Sequence, residues 1–339
     1  MFLVVLLAVV AAVYGAPVNL VNNMSHTCYI TTALQNLFYI PPARSLVYTN
    51  SDGELPHSLA QLFAEMQTSS TAVSITSFYR LYIADSQQQD RPGAEWDRPE
   101  DPDIFFTKLV EYMVPILGKM FLLEVSRVAY VPVGGQLLEY KTLMEMETSS
   151  IQLFLYLDPG VSVEQALAET SFSQSMNITK PADQATVDRF EQAGFTQWGE
   201  QLDATVIKKT SAKGDMLVLQ VRDNDSDGGS ESSNVIYSDT MQVSGETFML
   251  MGLIHTMSGH YAATVCTEAS SDTWYHFDDV GVTKVDRSAA LAASDNVFML
   301  FYVRQCEWER WVADPTVYKP VIPPDVYASE KIKLDKCGL

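Results

Sequence analysis

A cysteine becomes a nucleophile when a base takes its proton, and the chain offers Cys28, Cys266, Cys306 and Cys337 against His26, His57, His255, His260 and His276. Cys28 stands where the polar approach VNNMSHT turns into CYITTALQNLF. Thr32, Leu34 to Leu37 and Phe38 give the second stretch a helical pattern, so the thiol falls at the first turn of a predicted helix. The positive end of a helix dipole favours thiolate there. A lone cysteine is ordinarily a small buried apolar residue, so Cys28 needs a base before it counts as a nucleophile.

His260, in SGHYAATV, is the candidate base, with Gly259 before it and an apolar strand after it. A glycine lets another backbone pass close to the ring. Downstream, TWYHFDDVGVTKV places Asp278 and Asp279 at the end of a predicted strand. A carboxylate brought to His260 by strand pairing would orient the imidazole and stabilise its charged form. The competing reading is a hairpin whose two aspartates only mark the turn.

The elements that must hold these residues differ between the two parts of the chain. Leu59 to Met66 and Ile104 to Leu117 read as helices, the second interrupted by Pro115, with a Pro-, Gln- and Asp-rich connection over Gln87 to Pro102. From Val125 onward, SIQLFLYLD, DMLVLQVRD and ETFMLMGLIH carry the β-branched and aromatic bias of strands. Gly259 to Val265, Asp272 to Phe277 and Val297 to Val303 add three more, and Val163 to Glu169 and Ala185 to Ala193 read as short helices. The outline is α+β: a helical N-terminal third joined to a mostly antiparallel sheet region.

With 339 residues, 47% of them apolar, the chain can bury a large core in one domain or two intimate ones. Its net charge of −20 argues against nucleic acid and suits a partner with a basic face. The cysteines form no CxxC pair, so no zinc site is expected and no cofactor is implied. Met1 to Ala16 is an apolar run ending in small residues, which reads as a secretory signal lacking a basic n-region. It is shorter than the roughly 20 residues of a membrane span. Asn23, Asn177 and Asn224 begin glycosylation sequons. DNDSDGGSESSN opens like a calcium loop, but its twelfth position is Asn234 and its flanks read as strand, so calcium is rejected.

Two separated blocks resemble the Cys and His boxes of the ubiquitin-specific protease family, in the same order along the chain. Asn23, Thr27, Cys28, Tyr29, Gln35 and Leu37 fit the first box. His255, Gly259, His260 and Tyr261, then Trp274, Tyr275, Phe277, Asp278, Asp279, Val282 and Val285, fit the second. EDPDIFFTKLVEYM is similar to the family's Gln-Asp-Ala-x-Glu-Phe helix and VFMLFYVR to its terminal strand, so the likeness spans roughly residues 20 to 304.

The resemblance implies a papain-like cysteine protease fold with a helical thumb, an antiparallel palm and a reduced finger region without zinc. It sets residues 1–16 apart from a catalytic domain over 17–305, with the thumb over about 17–120 and the finger and palm over about 121–305, and leaves 306–339 as a C-terminal extension. It implies a thiol-dependent deubiquitinase with Cys28 as nucleophile, His260 as general base, Asp278 as orienting carboxylate and Asn23 as oxyanion donor. Asp279 would assist with water or the oxyanion, and Gly259 and Tyr261 would line a narrow channel for the tail of ubiquitin. Ubiquitin or ubiquitinated proteins are the implied partner; a silent ubiquitin-binding module and a protease for another ubiquitin-like modifier are the alternatives.

The chain departs from the family pattern in places. Thr31 and Thr32 replace an Asn-Ser pair, Leu20 and Val21 a Gly-Leu pair, Ile104 a glutamate and Glu100 a glutamine. No cysteine lies between Leu167 and Lys208, so the finger must hold by packing. A glycan on Asn23 would cover the oxyanion donor. A secretory signal also conflicts with a cytosolic or nuclear substrate, which leaves compartment and membrane association open.

Overall fold

The computed structural model describes residues 17–21, 26–88, 100–113, 117–143, 153–157, 160–168, 170–223, 235–257, 259–269, 272–279, 281–292, 296–318 and 320–328. The apolar leader, Asn23, Pro115, most of the Pro- and Gln-rich connection and the Asp-rich loop after Asp223 lie outside the described residues.

The N-terminal part is helical: α1 (Cys28–Phe38), α2 (Pro41–Thr49), α3 (Glu54–Thr68), α4 (Thr76–Gln88) and α5 (Pro102–Tyr112). Every residue of α1 is buried, which is why it carries no charged side chain. Helix α5 starts with Asp101 at its N-cap position and Pro102 in the first turn, where a missing N–H costs nothing. Alongside α1 the short strands β1 (Leu20–Val21) and β2 (Val73–Ser74) pair in parallel.

The remaining strands are β3 (Leu123–Val133), β4 (Gln136–Leu143), β5 (Leu153–Leu157), β6 (Thr170–Asn177), β7 (Gln201–Ala212), β8 (Met216–Asp223), β9 (Thr240–Val243), β10 (Glu246–Met257), β11 (His260–Glu268), β12 (Thr273–Asp278), β13 (Gly281–Val285) and β14 (Val297–Arg304). One sheet runs β13-β12-β11-β10-β14-β8-β5, with β9 also on β10; it is antiparallel except for the β5–β8 pair. Its central strand β14 is a continuous apolar run, as expected of a strand covered on both faces. Helix α1 lies against β10 and β11. Gly252 on β10 permits that approach, since a Cβ there would collide with the Asn36 side chain.

The second sheet, β4-β3-β7-β6, has its own small core. Ala129, Val131, Ile178, Phe190, Ala204 and Val206 are buried in it. Phe190, Phe195 and Trp198 form a cluster with ring centroids 4.8–5.6 Å apart. Packing therefore holds this cysteine-free stretch together, with the helix over Gln184–Gln192 capped by the Asp183 carboxylate.

Beyond Arg304 the chain packs back onto the body. Trp308 and Trp311 of the helix Gln305–Ala313 are buried, Gln67 Nε2 donates to the Pro320 carbonyl at 3.0 Å, and Val326 is fully enclosed beside α3.

Candidate active site

Cys28 is the first residue of α1 and only 5% exposed. The Thr27 carbonyl accepts from the Ile30 and Thr31 N–H groups and closes the first turn. The N–H groups of Cys28 and Tyr29 are left to face the sulfur, and the Tyr261 N–H reaches it from β11. Burial pushes the Cys28 thiol up, and the Asp279 carboxylate adds to that, against the three backbone donors. The dipole argument alone pointed to a ready thiolate. In the fold, the cost of burying an anion works against the partial charge at the helix end.

His260 opens β11 and Asp278 closes β12. Antiparallel pairing of Ala263 with Phe277 brings both side chains to one face of the sheet. Nε2 of His260 lies 2.8 Å from Oδ1 of Asp278, both residues being partly exposed at the ends of their strands. On the other side of the ring, Nδ1 lies 3.9 Å from Oδ2 of Asp279. Asp279 thus stands near both the sulfur and the ring nitrogen that Asp278 leaves open.

Gly259 is exposed with φ of +85°, and a Cβ there would meet nothing within 4 Å. Its backbone conformation, rather than crowding, calls for glycine. The Tyr261 hydroxyl donates to Asp101 Oδ1 at 2.8 Å, tying β11 to the start of α5. Burial pushes that phenol far up, helped by the Asp101 charge. One turn along α5, Ile104 is 38% exposed. Glu100 is engaged by Lys108 at 2.6 Å. Asn23 lies outside the described residues, so its placement relative to Cys28 is not described.

Three features around the site left no mark in the sequence pattern. Thr31 and Thr32 turn their hydroxyls back to the Cys28 carbonyl at 3.0 and 2.9 Å, which satisfies the helix. Asn19 Nδ2 donates to the Asp278 carbonyl at 2.8 Å. The Thr264 hydroxyl bridges His255 Nε2 and His276 Nδ1 at 3.0 Å each, on the sheet face that carries His260. Burial and the neighbouring His276 push His255 down to about 4, and burial also lowers His276, so both imidazoles are neutral at pH 7. Asn19, Thr31, Thr32, Gln35 and Asp278 line a cavity of about 10 Å³ beside the site, the size of a single water.

Cys28, Cys266 and Cys306 are free thiols. Among the described residues no group of three or more His, Cys, Asp or Glu side chains is placed to hold a metal, and no helix is long and apolar enough to cross a membrane.

Residues 118–302, more than half of the chain, match the family described as ubiquitin carboxyl-terminal hydrolase. The chain belongs to that family. Human ubiquitin carboxyl-terminal hydrolase 17-like proteins 13 and 17 are each 23% identical to it over 309 residues, covering 85% of this chain. The chain spans 56% of the length of each of those two relatives. Among solved structures, a chain of the SAGA DUB module of Ubp8, Sgf11, Sus1 and Sgf73 bound to monoubiquitin superposes with a TM-score of 0.64 at 16% identity. That superposition covers 85% of this chain and 69% of the other. The same module bound to ubiquitin aldehyde gives 0.63 at 17% identity with the same coverage. The fold is therefore the α+β, papain-like fold of ubiquitin-specific proteases.

Proposed function

We propose that the chain is a cysteine-type deubiquitinase that hydrolyses the bond after the C-terminal glycine of ubiquitin. The observation that carries this reading is the His260–Asp278 contact at 2.8 Å, formed beside a helix-start cysteine whose sulfur the Tyr261 N–H reaches. The solved relatives of the same fold are titled as bound to monoubiquitin and to ubiquitin aldehyde, which supports ubiquitin as the partner. In this reading residues 17–305 form the catalytic domain. The helices and the large sheet are thumb and palm, and the four-stranded sheet is the finger.

A carboxylate accepts, so Nε2 of His260 carries the proton shared with Asp278 and Nδ1 carries the lone pair. Nδ1 takes the proton of Cys28 as the sulfur attacks the carbonyl carbon of ubiquitin's last glycine. The carbonyl oxygen gains the negative charge, and the N–H groups at the start of α1, with Asn23, stabilise it; one such donor is worth about 2.7–4 kcal/mol. Collapse breaks the C–N bond, and the imidazolium gives its proton to the leaving lysine amine. His260 then deprotonates a water, which attacks the thioester and returns Cys28 as a thiol. Gly259 and Tyr261 line the path of the glycine tail, and Asp279, close to Nδ1, is placed to hold the hydrolytic water.

Release of a C-terminal aminocoumarin from ubiquitin tests the reading: the chain should turn it over and Cys28→Ala should not. A protease for another ubiquitin-like modifier is the second reading. It is favoured by exposed Ile104, which replaces a carboxylate of the family pattern with an apolar side chain. Turnover of another modifier's aminocoumarin conjugate but not ubiquitin's would select it. Ubiquitin binding without turnover would select a silent module.

A further inference from the structure

The nucleophile and its base sit on different parts of the fold: Cys28 on α1, His260 and Asp278 at adjoining strand ends of the large sheet. Catalysis needs the two held in register, since misplacement by about 1 Å can cost on the order of 10²-fold in rate. The short segment 17–21 runs between them and is fixed on both sides. Its Val18 carbonyl accepts from Gln35 Nε2 at 3.1 Å, and Gln35 lies two turns along the helix that begins with Cys28. The Asn19 carbonyl accepts from the Val73 N–H at 2.9 Å, and Leu20 pairs with Val73. From this anchored backbone the Asn19 amide reaches across 259 positions of sequence to the Asp278 carbonyl at 2.8 Å. A carbonyl only accepts, so the group facing it is Nδ2.

We propose that Asn19 is a positioning residue: it clamps the β12–β13 turn that carries Asp278 and Asp279 to the helix that carries Cys28, and so sets the carboxylate against His260. The inference rests on the deubiquitinase reading for its kinetic consequence only. The clamped carbonyl belongs to the residue whose side chain holds the ring, at the point where Asp278 pairs with Gly281 and the strand reverses. Asn19 therefore fixes the backbone from which the carboxylate projects. An aspartate there would keep the size but set an acceptor against an acceptor, and alanine would remove the bond to the turn altogether.

Two variants of the full chain, Asn19→Ala and the equally sized Asn19→Asp, test this, each with its melting temperature measured alongside. With ubiquitin–aminocoumarin, each should lower kcat about tenfold and leave KM within about twofold, as expected for a group acting on alignment rather than binding. The modification rate of Cys28 by a ubiquitin bearing a C-terminal electrophile gives the cycle with Asp278→Ala. Asn19→Ala should slow it about tenfold in the wild-type background and less than about twofold once the carboxylate is gone. The downfield Nε2–H proton resonance of His260, identified by its loss in Asp278→Ala, needs no substrate and should shift or broaden in both Asn19 variants. A kcat and a His260 resonance unchanged in both variants would overturn the proposal, as would the same loss persisting in the Asp278→Ala background. If the wild-type chain turns over no ubiquitin substrate but the resonance responds to Asn19, the clamp stands and the deubiquitinase reading fails.

Discussion

His260 and Asp278 meet side chain to side chain across neighbouring antiparallel strands, with 2.8 Å between Nε2 and Oδ1. In the proposed mechanism that contact leaves Nδ1 as the basic nitrogen and makes the carboxylate an orienting group. Asp278→Asn would offer an amide where the ring needs an acceptor. Its kcat should fall by about 10²–10⁴-fold, the range of a misassigned general base, with little change in KM. Steady-state kinetics with ubiquitin–aminocoumarin read this directly.

Burial makes Cys28 a weaker acid than an ordinary thiol. Alkylation of the folded, substrate-free chain by iodoacetamide should therefore have its midpoint above the ordinary thiol value of about 8.5. A midpoint below pH 7 would show a preformed thiolate–imidazolium pair instead. The sign for stability follows: a raised thiol pKa stabilises the fold below the unfolded value and loses that contribution as pH rises through the folded one.

His255 behaves in the opposite sense. Its pKa is lowered to about 4 by burial and by His276, so the fold holds it neutral while the unfolded chain protonates it. The stabilisation is complete above the ordinary value of about 6.5 and is lost as pH falls toward 4, by up to about 3 kcal/mol. Chemical denaturation at pH 7 and pH 5 should show the loss. A variant with His255→Gln should have a flatter pH dependence over that interval.

The four-stranded sheet stands on its own core, so damage there should be local. Phe190 is fully buried against Phe195 and Trp198, and Phe190→Ala should cost about 3–5 kcal/mol. Hydrogen exchange should show opening confined to β3, β4, β6 and β7, with Cys28 modification by a small alkylating agent unchanged.

Gly252 sets how closely α1 approaches the sheet. Gly252→Ala should destabilise by about 1–3 kcal/mol through overpacking against Asn36, and should lower kcat as well because the displaced helix carries Cys28. Thermal melting and turnover together check both effects.

The sequence showed the candidate cysteine, histidine and aspartate more clearly than the bonds that hold them. The switch from VNNMSHT to an apolar helical pattern located the start of α1 at Cys28, and strand bias located β8, β10, β11, β12 and β14 to within a few residues. Helices α2 and α4 went unread because PPARSLVYT and TSFYRLYIADSQQ mix polar and apolar residues without a clean stripe. The polar strands β6 and β7 escaped for the same reason: one is TSFSQSMN, and in the other Ala204 and Val206 are the residues that enter the core around Phe190. Asn19 was not readable at all. A side-chain bond to a backbone carbonyl 259 residues away depends on the fold and leaves no spacing to recognise. The burial that raises the Cys28 pKa was not readable either, because the dipole is local to the helix whereas the enclosure of the sulfur depends on the fold around it.

The most direct measurement is the intact mass of the chain after incubation with ubiquitin bearing a C-terminal thiol-reactive group. The account predicts one covalent adduct in the wild-type chain and none in Cys28→Ala. No adduct from a folded chain whose Cys28 still reacts with iodoacetamide would contradict it.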